Sequence, residues 1–227
     1  MEVLEALKAR HSVRKYLPKS IDSEIVEKLR TAISEANEDA GLNIQLVLEE
    51  PRAFSSGILK YGTFSGVRNY LVMAGPKGKL NEEKIGYHGE KLVILAQSLG
   101  LNSCWVGLTY KKVDGAFSLR PDDTVHCVIA LGYGEIPGVQ HSIKPIERFY
   151  EAEKDELPEW FINGMQAAVL APTAINQQKF KFILHKDGKV EARTQYSFAG
   201  YVNIDLGIVK YNFEVGAGKE NFEWSGK

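Results

Sequence analysis

The sequence contains few cysteines and no excess of charge of either sign, and each of these features excludes a class of protein. Only Cys104 and Cys127 are present, so a disulfide framework is excluded and a reducing, cytoplasmic environment is expected. Lys and Arg number 28 against 29 Asp and Glu, which leaves no basic excess for binding nucleic acid. No apolar run approaches membrane-spanning length, and the acidic start is not typical of a signal peptide. We therefore expect neither nucleic acid nor membrane among the partners.

The composition and the hydrophobic periodicity predict an α+β fold. Hydrophobic residues make up 44% of the 227 positions, which is ordinary for a globular protein with a substantial core. Apolar residues at helical spacing, with capping and stop residues, predict helices over residues 2–9, 23–38, 82–98, 159–170 and 203–215. Short apolar or alternating runs bounded by turn residues predict strands over residues 43–49, 66–74, 124–131, 180–185 and 190–194.

A weak internal repeat divides the chain into two unequal parts. Gly89 and Gly100 are separated by eleven residues, and so are Gly207 and Gly218; a tryptophan follows each pair. The order helix, strand, strand and glycine-containing helix also recurs after the acidic connector at residues 151–156. We therefore predict one half over residues 1–150 and a shorter half over 151–227, although chance similarity is the alternative.

Three segments carry residues suited to binding a polar ligand. Residues 10–16, RHSVRKY, place two guanidinium groups and a hydroxyl close to a helix end, which suits an oxyanion. Residues 171–178, APTAINQQ, offer hydroxyl and amide groups. Residues 100–107, GLNSCWVG, form a turn that can present backbone N–H groups to a flat ligand. Taken singly, each segment has a structural interpretation that is the more ordinary one: a solvated basic turn, a helix-ending loop, and a core tryptophan beside a turn, respectively.

Other familiar motifs fail on their details. Residues 213–220 depart from a phosphate-binding loop, because Phe213 replaces the first glycine and Glu220 replaces the final Ser or Thr. Residues 132–138 lack the spacing of a dinucleotide-binding turn. The five histidines are too widely separated for a metal-binding motif, and both cysteines are interpreted as core residues.

Together, these segments resemble the nitroreductase-like flavoproteins. RHSVRKY is similar to that family's Arg-x-Ser-x-Arg-x-aromatic element, and APTAINQQKFKFIL to its Ala-Pro-Ser-x-x-Asn-x-Gln element. GEKLVILAQSLGLNSCWVG is similar to its helix and turn ending in Trp-x-Gly, and VHCVIALGYGE with KPIE to its late strand and basic tail. The resemblance implies a central, mostly antiparallel sheet flanked by helices.

The resemblance also implies FMN as cofactor and assigns roles to particular residues. Arg10, Ser12 and Arg14 would hold the phosphate, ribityl chain and pyrimidine edge, with His11 contributing. The flavin ring would pass the turn, with a backbone N–H near Gly107 directed at its N5 atom. The full set of implied cofactor-binding residues is Arg10, His11, Ser12, Arg14, Val106, Gly107, Leu108, Lys144, Thr173, Asn176 and Gln178. No protein side chain is required as a catalytic acid or nucleophile, since a flavin carries its own redox chemistry.

One departure from the family pattern implies a fused molecule. The family builds each flavin site across a dimer, with the Arg element from one subunit and the Asn element from the other. Here the first half keeps the Arg element but lacks the Pro and Asn at residues 35–43, while the second half keeps only the Asn element. The chain therefore resembles an internally fused subgroup, as residues 61–66 also suggest, in which one pseudo-dimer holds one composite site. A monomer or a weak homodimer is expected.

The resemblance implies an NADH- or NADPH-dependent oxidoreductase. The nicotinamide would reduce FMN and leave, after which a small-molecule acceptor, such as a nitroaromatic or a quinone, would take the electrons. Two alternatives stay open: a flavin- or anion-binding protein without turnover, and a specialised flavin enzyme such as a dehalogenase.

Overall fold

The computed structural model describes residues 1–55, 64–153 and 156–225. The α+β prediction is confirmed: the described residues form five α-helices and seven strands. The helices are α1 (Val3–Ala9), α2 (Ser23–Ala40), α3 (Lys79–Ser98), α4 (Glu159–Ala168) and α5 (Val202–Ala217). The strands are β1 (Gln45–Val47), β2 (Asn69–Pro76), β3 (Asn102–Val106), β4 (Asp123–Gly132), β5 (Tyr150–Ala152), β6 (Phe180–Leu184) and β7 (Val190–Thr194). No described helix is long and apolar enough to cross a membrane.

The expectation of one central sheet requires correction, because the described strands form two sheets. The first has the order β1-β2-β4-β3 and is antiparallel throughout. The second has the order β5-β6-β7, with β5 parallel to β6 and β7 antiparallel to it. The physical reason is that Tyr150–Ala152 pairs with β6 and not with the first sheet, so the second half completes a sheet of its own.

Strand position in the first sheet explains its hydrophobic pattern. β4 pairs with β2 on one side and with β3 on the other, so its final residues, 127–132, are buried. A strand covered on both faces and both edges is apolar without alternation, as the sequence predicted for this segment. The sequence predicts only a turn where β3 lies, because the polar residues Asn102 and Ser103 interrupt the apolar pattern typical of a buried strand.

The two halves meet where α3 crosses α5, and two glycines make the close approach possible. A Cβ atom on Gly86 would lie 1.9 Å from the carbonyl oxygen of Ile204. Reciprocally, a Cβ on Gly207 would lie 1.9 Å from the carbonyl oxygen of Glu83. The contact therefore pairs Gly207 with Gly86. One hydrophobic core extends across this crossing, from Leu71 and Val93 of the first half to Phe182 and Phe213 of the second.

Replacing Gly207 with alanine is expected to lower the free energy of unfolding by about 1–3 kcal/mol, because the added methyl group would force the helices apart. Chemical denaturation followed by circular dichroism measures this change. Lys91→Ala, on an exposed position of α3, is the matched control and should leave stability nearly unchanged. Equal stability of Gly207→Ala and the unmodified protein would contradict the described crossing.

Candidate functional site

The basic segment after α1 runs alongside β3. The backbone N–H of Val13 donates to the carbonyl oxygen of Ser103 at 3.0 Å, and Ser12 pairs with Ser103 in a parallel bridge. The Ser12 hydroxyl also lies within hydrogen-bonding reach of the Cys104 thiol, whose pKa is raised by burial. The predicted Arg-x-Ser-x-Arg element is therefore held against the strand that leads to Gly107.

Arg10 is buried against Glu90 of α3 without forming a hydrogen bond to it. The Arg10 Nε and Glu90 Oε1 atoms are 3.7 Å apart, and both side chains are almost fully buried. Trp105 Nε1 donates to the other carboxylate oxygen of Glu90 at 3.0 Å, and burial raises the pKa of Glu90. Among the described residues, Arg10 Nη1 and Glu90 Oε1 have no hydrogen-bond partner. The guanidinium therefore retains an unused buried donor.

Two histidines lie within electrostatic reach of Arg10. Burial and then the charge of Arg10 lower the pKa of His11. Burial also lowers the pKa of His141, and the neighbouring Arg10 and His11 act in the same direction, opposed by a contact with the Val169 carbonyl oxygen 3.1 Å from its Nε2. His141 from a distant part of the sequence thus joins the adjacent pair Arg10 and His11, which is an arrangement that an anion would stabilise.

The second-half loop, residues 173–178, is tied to the segment that contains His141. The side-chain amides of Asn176 and Gln178 both donate to the carbonyl oxygen of Ser142, at 2.9 and 3.0 Å. The Gln178 backbone N–H donates to Thr173 Oγ1 at 3.0 Å, and the Lys144 backbone N–H donates to Gln178 Oε1 at 3.1 Å. These predicted ligand-binding side chains therefore fix the shape of the loop by bonding to one another and to its neighbour.

Asp205, near the start of α5, anchors the other side of the same loop. Its carboxylate accepts hydrogen bonds from the Ala174 backbone N–H at 3.0 Å and from Gln177 Nε2 at 2.6 Å. Gln177 Nε2 also donates to the Gly200 carbonyl oxygen, and Lys144 Nζ donates to the Gln177 carbonyl oxygen, both at 3.0 Å. Burial raises the pKa of Asp205 to about 6. The loop is thus fixed from two directions.

The turn after β3 closes the cluster. Val106 is buried at the end of the strand, and Leu108 is 75% exposed just beyond it. Between them, a Cβ atom on Gly107 would lie 2.6 Å from the ring of Tyr201, so any larger residue here would have to displace that ring. The first-half segments at 10–14 and 103–108 and the second-half segments at 173–178 and 200–205 therefore form one site.

The sequence of this chain matches the model of a known protein family. A family model described as "Putative TM nitroreductase" matches residues 2–217. The chain belongs to this nitroreductase family.

Several solved structures share the fold of this chain at low sequence identity. A putative nitroreductase from Thermotoga maritima has 22% identity and a TM-score of 0.69, with 98% of this chain and 87% of that chain covered. A putative nitroreductase from Desulfovibrio desulfuricans in complex with FMN has 18% identity and a TM-score of 0.53, covering 70% and 99%. A putative NADH dehydrogenase/NAD(P)H nitroreductase from Parabacteroides distasonis has 19% identity and a TM-score of 0.51, covering 66% and 96%. No curated protein matches the sequence.

The candidate site contains residues that the motifs did not reveal. Glu90, Asp205 and Tyr201 were not selected, although Glu90 and Asp205 are acidic residues that interrupt apolar helical faces. That interruption is the signal that could have found them. Residues 61–63, part of the segment that is similar to the fused subgroup, lie outside the described residues. Within the described ranges, no group of His, Cys, Asp and Glu is arranged to hold a metal ion.

Asp205 is expected to make the stability of the protein depend on pH. Its folded-state pKa of about 6 lies above the ordinary value of 3.8, so its protonated form is favoured by folding. Its contribution is therefore fully present below about pH 4 and is lost as the pH rises through 6, by up to about 3 kcal/mol. Denaturation of the unmodified protein and of Asp205→Asn at pH 5 and pH 7.5 measures the difference, and an identical pH slope in both would contradict this assignment.

Proposed function

We propose that the protein is an FMN-dependent oxidoreductase that takes electrons from NADH or NADPH and passes them to a nitroaromatic or quinone-like acceptor. The observation that carries this proposal is the buried Arg10 guanidinium, whose Nη1 has no hydrogen-bond partner among the described residues and which has His11 and His141 as neighbours. Membership of the nitroreductase family and the FMN named for the Desulfovibrio desulfuricans relative support the same cofactor.

The residues present fit the chemical groups of FMN. The phosphate would be held by Arg10, with His11 and His141 supplying further donors, because charge-assisted bonds suit an oxyanion. Ser12 and the exposed Arg14 follow along the chain and would bind the ribityl chain and the pyrimidine edge. FMN, when bound, supplies the hydride and electron transfer.

The remaining predicted residues would shape the site for the flavin ring. The backbone of residues 106–108 would face the flavin ring, with the ring of Tyr201 packed beside Gly107. Thr173, Asn176 and Gln178 would act mainly by holding the second-half loop in place, since their side chains are engaged there. Lys144 would likewise act as a positioning residue through its bonds to that loop.

We further propose that the halves 1–150 and 151–227 form a pseudo-dimer within one monomeric chain. The reciprocal contact of Gly86 and Gly207 at the α3–α5 crossing supports an approximate two-fold relation between the halves. Under this arrangement the first half provides the basic segment and the second half provides the loop, so a single composite site needs no second subunit. The small-molecule acceptor would meet an apolar surface, because Leu108 and Ile175 are strongly exposed beside the site.

The test is to add FMN to the purified protein, remove free flavin by desalting, and record the visible absorption spectrum. We expect flavin bands to persist, and we expect NADH or NADPH to bleach them without oxygen and a nitroaromatic or quinone to restore them. Bound flavin that neither nicotinamide reduces would favour the alternative of a binding protein without turnover. A colourless protein would overturn the proposal.

A further inference from the structure

Tyr201 occupies a position at the candidate site that none of the flavin-binding motifs assigns. Its ring lies directly against the Gly107 backbone, with Cζ 2.6 Å and the hydroxyl oxygen 2.7 Å from where a Cβ atom on that glycine would be. The pairing brings a second-half aromatic ring onto the first-half turn. A side chain at position 107 would therefore displace the Tyr201 ring.

Tyr201 has a strained backbone conformation, and other residues with the same kind of strain lie at this site. Tyr201 has φ 60° and ψ 5°, a left-handed conformation that is unfavourable for a bulky residue. Among the described residues other than glycine, positive φ angles also occur at Ile175, Asn176 and Gln178 of the second-half loop, and elsewhere only at Glu49. Such conformations persist only where contacts with the surrounding structure enforce them, and they cluster at functional sites.

Hydrogen bonds explain how this conformation is held. The Asp205 backbone N–H donates to the Tyr201 carbonyl oxygen at 2.9 Å, which begins α5. The preceding residue, Gly200, accepts from Gln177 Nε2, and the Asp205 carboxylate anchors the second-half loop. The backbone that carries the phenol ring is thereby tied to the second-half loop, while the ring itself packs against Gly107 of the first half, and a binding surface for a rigid, flat ligand requires such support.

The surroundings of the ring are partly apolar. Burial raises the pKa of Tyr201, so its phenol is neutral at physiological pH. Tyr110 lies near enough for the Tyr201 phenol to affect its pKa, which burial and neighbouring groups raise to about 12. A half-buried neutral ring of this kind can stack on, or meet edge to face, another aromatic system.

We propose that Tyr201 is a flavin-binding residue whose ring packs against the isoalloxazine beside Gly107. This inference rests on the proposed function. It adds an aromatic contact from the second half, so that the composite site recognises the flavin ring as well as its phosphate. A phenol in contact with an isoalloxazine also quenches flavin fluorescence by donating an electron to the excited ring, which gives a signature independent of turnover.

The experiment compares FMN binding and the fluorescence of bound FMN in the unmodified protein, Tyr201→Leu and Tyr201→Phe. Loss of an aromatic contact is expected to raise the dissociation constant of Tyr201→Leu by about threefold to tenfold. Tyr201→Phe keeps the ring, so its affinity should stay close to that of the unmodified protein while the bound flavin becomes brighter. Tyr196→Leu, an exposed tyrosine on the segment before α5, is the matched control.

The outcomes separate this inference from the function on which it rests. If the unmodified protein binds FMN, but both Tyr201 variants match it in affinity and in flavin fluorescence, the role of Tyr201 is overturned and the proposed function stands. If the unmodified protein binds no FMN, both are overturned. Should Tyr201→Leu fail to fold, the flavin fluorescence of Tyr201→Phe still decides between contact and no contact.

Discussion

Replacing Arg10 with alanine is expected to lower the free energy of unfolding by about 3–5 kcal/mol, because Glu90 would be left as a buried carboxylate without its counter-charge. Both side chains are almost completely removed from water, so solvent cannot replace the guanidinium. Burial already raises the pKa of Glu90, and loss of Arg10 should raise it further. Urea denaturation at pH 7.5 measures the loss of stability, which should become smaller as the pH is lowered, because protonation removes the uncompensated charge of Glu90.

A double variant separates the structural role of Arg10 from its role in binding. Arg10→Ala combined with Glu90→Gln removes both charges, and glutamine can still accept the hydrogen bond from Trp105. The double variant should therefore recover most of the stability that Arg10→Ala loses. Its affinity for FMN should stay below that of the unmodified protein, because Arg10 is still missing. Strictly additive losses would show that Arg10 and Glu90 do not interact, and tight FMN binding by the double variant would remove Arg10 from the phosphate site.

The parts of the fold that were predicted from the sequence are those governed by local patterns. The helical spacing over residues 23–38 and the apolar run over 124–131 lie within α2 and β4, because burial of one helix face or of a central strand leaves a periodic trace. By contrast, β5 has only three residues, and β3 mixes polar and apolar side chains. Neither carries enough pattern to be identified before its partner strand is known.

The same distinction applies to the candidate site. Its residues are predictable from the sequence where they are adjacent in the chain, but not where the fold brings distant elements together. The segment at residues 10–14 is recognisable because its basic residues are adjacent in the sequence. The contact of Arg10 with Glu90 and that of Asp205 with Ala174 join residues from different elements, so no spacing rule predicts them. The amides of Asn176 and Gln178 look identical in the sequence whether they bind a ligand or Ser142, and only the folded loop distinguishes the two.

Arg14→Ala is expected to raise the dissociation constant for FMN by about tenfold to a hundredfold while leaving thermal stability unchanged. A hydrogen bond from a charged group contributes about 1.5–3 kcal/mol, and Arg14 is exposed, so its removal leaves no buried charge behind. Isothermal titration of the flavin-free protein with FMN measures the change.

Lys15→Ala is the matched control for Arg14→Ala. Lys15 is the next residue, is also exposed, and carries the same charge, but successive side chains of an extended segment point in opposite directions. Its removal should therefore change the affinity only through long-range electrostatics, which salt screens. If both variants weaken FMN binding equally, and both losses vanish at high salt, Arg14 makes no direct contact with the flavin. If instead only Arg14→Ala weakens FMN binding, and the loss of affinity persists at high salt, the result supports a direct contact between the Arg14 guanidinium and the flavin.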